Sequence, residues 1–156
     1  MKKQTYIGVI GGSNCTEKTA KLAETVGMEI AKAGAILVCG GLGGVMEAAC
    51  RGAKQAGGAT IGILLNWSKK SANEFVDIPI VTGLGDMRNL MVVRNSDAVI
   101  ALPGRYGTLS EIAFCLNSAT PLISLSNWNV SKKIIRARDA QQAVELAMKE
   151  ITKRNE

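Results

Sequence analysis

The sequence predicts an α/β fold, a doubly wound and mostly parallel sheet flanked by helices, in one Rossmann-like domain over residues 1–156. Three observations point there. Short apolar runs alternate with stretches whose apolar residues recur at the helical period, the pattern of successive βαβ units. Glycine clusters close four of the apolar runs, where a strand hands over to a helix. The helical stretches carry Ala and Gly on their apolar faces, which suits close packing on a sheet. A chain of 156 residues, 47% hydrophobic and 21% charged, is sized and composed for one globular core.

Tyr6 to Ile10 reads as the first strand, closed by Gly11-Gly12-Ser13-Asn14. The helix that follows places Leu22, Val26 and Ile30 on one stripe beside Ala23, Gly27 and Ala31. Asn14 and Glu17 are spaced as a capping box at its start, and Gly34 ends it. The unit repeats with a strand at Ala35 to Cys39, the turn Gly40-Gly41-Leu42-Gly43-Gly44, and a helix bearing Ala48, Ala49, Gly52, Ala53 and Ala56. Glu47 suits the positive end of that helix's dipole. Thr60 to Leu65 is the third strand and Ile78 to Val81 the fourth. Between them, 66–77 is polar, includes Trp67, Lys69, Lys70 and Asn73, and reads as an exposed, mobile loop.

Gly83-Leu84-Gly85-Asp86 leads into a helix from Met87 to Asn95 with Asp86 as its cap. The apolar run Ala98 to Leu102 is the central strand. Pro103-Gly104-Arg105-Tyr106-Gly107 then opens a helix at Thr108 that runs to Ser118. Pro121 to Leu125 gives a further strand, Ser126 to Lys132 a loop with Trp128, and Ile134 to Ala137 a last short strand. Asp139 caps the closing helix, whose buried stripe is Ala143, Val144, Leu146, Ala147 and Ile151.

Composition removes several kinds of chemistry. There is no histidine, so Ser-His-Asp hydrolysis and His-based zinc sites are excluded. The four cysteines, at 15, 39, 50 and 115, form no C-x-x-C pair and lie in or beside apolar segments, as reduced core residues do. No metal site is expected and no cofactor is required. The net charge of +6 suits an anionic ligand, but the basic residues are scattered, so nucleic acid is not the expected partner. The basic start at Lys2-Lys3 precedes an apolar stretch that breaks at Gly11-Gly12, too short for a signal sequence. No run reaches membrane-spanning length. The expected compartment is the cytoplasm.

Parallel sheets bind ligands beyond the carboxyl ends of their strands, where all four glycine turns must lie. Each turn alone is equally readable as a tight strand-to-helix connection. Together they predict a cradle for negative charge, built from backbone N–H groups and the positive end of a helix. Its centre is the segment Asp97 to Glu111, where Gly104 and Gly107 let the backbone approach a phosphate.

The residues that carry these turns also carry a resemblance. Gly40-Gly41-Leu42-Gly43-Gly44-Val45-Met46, Arg88-Asn89, Arg94, Ser96-Asp97-Ala98 and Pro103-Gly104-Arg105-Tyr106-Gly107-Thr108-Leu109-Ser110-Glu111 occur in this order over nearly the whole chain. They resemble the Rossmann-like family of the Lonely Guy phosphoribohydrolases, the molybdenum cofactor carrier proteins and, more remotely, the Smf DNA-processing proteins. The short branch that includes the carriers is the nearest match. The resemblance implies a binding or carrier protein for a phosphorylated small molecule, a nucleotide monophosphate or a molybdopterin-type ligand, working as a homodimer or higher homo-oligomer.

It also implies an alternative, hydrolysis of the N-glycosidic bond of nucleoside 5′-monophosphates, with Arg88 and Glu111 as the catalytic pair. A carboxylate there would stabilise positive charge on ribose and activate water, while the arginine binds phosphate or base. On either reading the implied ligand-binding residues are Gly11, Gly12, Ser13, Gly40, Gly41, Gly43, Gly44, Met46, Asn89, Arg94, Pro103, Gly104, Arg105, Tyr106, Gly107 and Thr108. The sequence departs from the hydrolase pattern at Gly85 to Asn89, which lacks its lysine, and at Arg105, where a glycine is usual. Several residues keep two readings. Glu111 either closes a capping box with Thr108 or faces the ligand, Arg94 either pairs with Asp97 or Glu111 or contacts the ligand, and Met46 is either core or site.

Overall fold

The computed structural model describes residues 3–156, so the start of the chain at Met1 and Lys2 lies outside it. Seven strands form one sheet: β1 (Tyr6–Ile10), β2 (Ile36–Cys39), β3 (Thr60–Leu64), β4 (Ile78–Val81), β5 (Ala98–Ala101), β6 (Leu122–Ser124) and β7 (Ile135–Arg136). Their order is β4-β3-β2-β1-β5-β6-β7 and every pair is parallel. The central strands are apolar throughout because both faces are covered, and all four residues of β5 are buried.

Five helices do the covering: α1 (Glu17–Lys32), α2 (Val45–Gln55), α3 (Arg88–Arg94), α4 (Tyr106–Ser118) and α5 (Ala140–Asn155). On one face Val26 and Ile30 of α1, Ala49 of α2 and Val144 of α5 pack with Ile7, Leu37 and Ile100. On the other, Val92 and Val93 of α3 and Ile112 and Cys115 of α4 pack with Ile10, Val38 and Val99. The small residues read from the sequence set the α1–α2 contact. The Cα of Gly27 rests against the carbonyl of Ala49, and that of Gly52 against the carbonyl of Glu24, with no room for a Cβ at either.

Three cap assignments are corrected. Thr16, rather than Asn14, caps α1: its Oγ1 accepts the N–H of Thr19 at 3.1 Å. Asp86 does not cap α3 but sits in a single 3-10 turn, Gly85–Met87, that runs into the helix. Helix α4 starts at Tyr106 with Arg105 before it, so Thr108 is its third residue and the Thr108–Glu111 capping box is not formed. The cap read at Asp139 is present, its Oδ1 accepting the N–H of Gln142 at 2.8 Å.

The 66–77 segment is more tied down than its polarity suggests. It contains a 3-10 turn, Lys69–Ser71, and Asn73 anchors it to the glycine turn after β2. The Asn73 backbone N–H donates to Gly41 O at 2.9 Å, and its Nδ2 donates to Leu42 O at 2.8 Å. No helix among the described residues is long and apolar enough to cross a membrane.

Candidate functional site

The strand order reverses at β1, which sends the chain to β2 on one side and has β5 on the other, and a crevice opens beyond the carboxyl ends there. Backbone bonds lock the turns around it. Gly12 N–H donates to Pro103 O at 3.0 Å, joining the turns after β1 and β5, and Val45 N–H donates to Gly12 O at 2.9 Å, bringing in the start of α2. These approaches require glycine. Gly44 has φ 63° with its Cα against Ser13, and the Cα of Gly104 fits between the Thr108 side chain and Gly12 N.

The crevice holds a cavity of about 220 Å³, lined by Gly11, Gly12 and Ser13, by Gly40, Leu42 and Met46, by Leu65, and by Asp86, Arg88, Asn89, Gly107, Thr108 and Glu111. Arg88 dominates it electrically. Its side chain is 6% exposed, its Nη1 donates to Ile63 O at 3.2 Å, and its Nε is buried with no partner. Gly40 leaves space for the guanidinium, since a Cβ there would overlap Nη1. Among the described residues no ion pair involves Arg88. A buried arginine with most of its fork unused is costly unless an anion completes it.

Glu111 stands one turn into α4 from Thr108 and shares the cavity with Arg88 without touching it. Burial pushes its carboxyl up to about 8; the Arg88 charge opposes this and the Cys39 sulfur adds to it. The acid is therefore largely neutral near pH 7. Arg88 is itself drawn below its usual range by burial, with Glu111, Cys39 and Asp86 pulling the other way. Beneath the Gly40 turn, the Sγ atoms of Cys39 and Cys50 lie 3.5 Å apart, and Cys39 Sγ accepts the Gly41 N–H at 3.3 Å. The Cys39 sulfur and burial both hold the Cys50 proton in place. Among the described residues no three His, Cys, Asp or Glu side chains cluster to hold a metal.

Of the residues expected at the site, Gly11, Gly12, Ser13, Gly40, Met46, Arg88, Asn89, Gly107, Thr108 and Glu111 line this one cavity. Gly41, Gly43, Gly44, Pro103 and Gly104 stand behind them and shape the turns. Gly41, with φ 73°, packs on Gly62, and the carbonyl of Gly104 accepts the Trp128 Nε1–H at 3.0 Å. Arg105 and Tyr106 are exposed outside the cavity, the Tyr106 ring 6.4 Å from that of Trp128. Arg94 is not brought in. It is exposed at the end of α3, lining a separate depression with Ser96 and Asp97, and it pairs with neither Asp97 nor Glu111. Asp97 instead accepts the Tyr6 N–H at 2.9 Å.

Leu42, Leu65 and the lining role of Asp86 were not read from the sequence. Asp86 lies two residues before Arg88, a signal that the cap assignment obscured.

A family model described as the SLOG cluster4 family matches residues 4–154, and the chain belongs to that family. A protein of Archaeoglobus fulgidus is 47% identical over 123 residues, 79% of this chain and 81% of its own length. The structure of the molybdenum cofactor binding protein from Rippkaea orientalis superimposes with TM-score 0.91 at 38% identity, covering 97% of this chain and 99% of that one. The Moco carrier protein of Chlamydomonas reinhardtii gives TM-score 0.87 at 32% identity, with the same coverage. DNA processing protein A of Streptococcus pneumoniae, 16% identical with TM-score 0.73 over 91% of this chain and 61% of that one, shares the fold alone. The kinship expected from the glycine turns holds.

Proposed function

We propose that this member of the SLOG cluster4 family binds and carries a phosphorylated pterin of the molybdopterin type, or a nucleotide-like ligand of the same plan, with its phosphate against Arg88 and the first turn of α4. The observation that carries the reading is the buried Arg88 guanidinium, which makes one hydrogen bond to the protein and leaves Nε unpaired beside a helix start. The similarity to a molybdenum cofactor binding protein and a Moco carrier supports the choice of ligand class.

Cavity size supports a carrier role. At about 220 Å³ it is smaller than the roughly 300 Å³ at which pockets enclosing a whole small molecule begin. It holds the phosphate end of such a ligand and leaves the ring system at the rim, near exposed Met87 and Tyr106, where a cargo is accessible for transfer. We further propose a homo-oligomer working in the cytoplasm.

Titration calorimetry with molybdopterin, pterin phosphates and nucleoside monophosphates tests the reading. Binding tighter than millimolar is expected, weakened at least about tenfold in Arg88→Leu, while that variant melts no lower than the wild type because an uncompensated buried charge has gone. No binding by any of these ligands refutes it.

The hydrolase reading draws on Arg88 and Glu111 sharing one cavity. It is the weaker one, because a carboxyl held neutral lacks the charge that would stabilise an oxocarbenium-like ribose. Release of free base from purine monophosphates, lost in Glu111→Ala, would reverse that preference.

A further inference from the structure

Glu111 has features that neither a structural carboxylate nor a countercharge for Arg88 would show. It lies in the second turn of α4, where no capping role is left to it. It lines the cavity, yet among the described residues it makes no side-chain hydrogen bond and no ion pair within 4.0 Å. The unpaired guanidinium of Arg88 lines the same small space. A ligand anion held by Arg88 and the α4 start would share that space with the Glu111 carboxyl. An ionised carboxylate would repel it, whereas a protonated one presents an O–H to an anion oxygen.

We infer that Glu111 serves the site as a neutral carboxylic acid that donates its O–H to the bound anion, so that binding retains one proton on the protein and fails as that proton leaves. This rests on the reading of the cavity as an anion site. No covalent bond changes: below about pH 8 the proton is already on Glu111, and above it the ionised protein, the ligand anion and one solvent proton give the complex with Glu111 protonated.

The surroundings of Glu111 pull its proton both ways, Arg88 against the acid form and burial and the Cys39 sulfur toward it. Arg88 faces it from α3 and Cys39 from the end of β2, Cys115 lies a turn further along α4, and Asp86 lies exposed at the cavity mouth. Burial outweighs the attraction of Arg88 and holds the carboxyl at about 8, so the acid form prevails before any ligand arrives. The Cys115 thiol, pushed up to about 12 by burial, adds no charge in the physiological range. An anion at Arg88 would raise the Glu111 carboxyl further, because it screens the one favourable charge and adds an unfavourable one.

Sulfate and adenosine 5′-monophosphate are suitable probes, since above about pH 7 neither carries a titrating acidic proton. Their affinities are measured by calorimetry from pH 6.5 to pH 9.5, and at pH 9 in two buffers of different ionisation enthalpy to count protons. Wild-type affinity is expected to hold to about pH 8 and then fall about tenfold per unit, with close to one proton taken up per anion at pH 9. Glu111→Gln keeps a donor that cannot ionise. Whatever its affinity at pH 7, that affinity is expected to lose the fall above pH 8 and its proton uptake at pH 9 to vanish. A flat wild-type profile without proton uptake, or the same fall in Glu111→Gln, overturns the role given to Glu111 and leaves the anion site standing. Failure of both probes to bind wild type at pH 6.5 overturns the anion site itself.

Discussion

At the residue scale, Arg88 and Glu111 share a cavity without an ion pair, and the cost of that arrangement should appear in stability. The folded Glu111 carboxyl titrates at about 8, above the value near 4.3 of an unfolded glutamate, so the unfolded state ionises first as pH rises. Between those values the native state binds more protons than the unfolded one, and stability is lost with increasing pH until the folded group ionises. Glu111→Gln removes the titration. Its melting temperature is expected to exceed that of the wild type by roughly 10 °C at pH 8, with the gap closing toward pH 5, measured by calorimetry without ligand. The family resemblance implied both residues as a pair. The sequence left Glu111 between two roles because a Thr-x-x-Glu spacing reads as a capping box wherever the helix is taken to begin at the threonine. Two residues of helix start decided the matter, and such boundaries follow from how the turn packs, with Gly104 wedged under Thr108.

At the element scale, the α1–α2 pair positions the Gly40–Gly44 turn, because α2 begins where that turn ends. The two helices touch through backbone at Gly27 and Gly52. Gly52→Ala drives a methyl group into the Glu24 carbonyl, and the helices must part to admit it. A loss of about 2 kcal/mol is expected, overriding the gain in helix propensity, and is measurable as a fall of several degrees in melting temperature. The small-residue stripe was legible as a packing face. Which backbone atoms it would meet was not, since nothing local in the chain specifies the crossing of two helices 25 residues apart in sequence, from Gly27 to Gly52. The polar 66–77 loop shows the converse. Its composition reads as exposed, and only the fold reveals that Asn73 holds the carbonyls of Gly41 and Leu42 and so braces the site.

For the whole molecule, one side of the sheet is incompletely covered, because that face carries only α4 and the seven-residue α3, while the β3–β4 connection packs Phe75 and Val76 against the opposite face. Ile78, Ile80 and Met91 are 49%, 43% and 37% exposed there, next to a depression of about 470 Å³ floored by Val38, Ile61 and Ile63. An apolar patch of this kind is where the proposed oligomer would bury surface. Light scattering coupled to gel filtration is expected to show a multimer for the wild type and a smaller, folded species for Ile80→Lys; a monomeric wild type would refute the assembly. The sequence by itself determined the order of strands and helices, the parallel sheet and the gathering of glycine turns at one rim, because apolar periodicity and glycine placement are local and a βαβ crossover has one hand. Only the tertiary structure decided which glycines line the cavity and which brace them, that Arg94 stands apart from it, and that Glu111 lies beside Arg88 without an ion pair. Burial and charge proximity are properties of residues far apart in the chain, and they exist only once the turns have closed on one another.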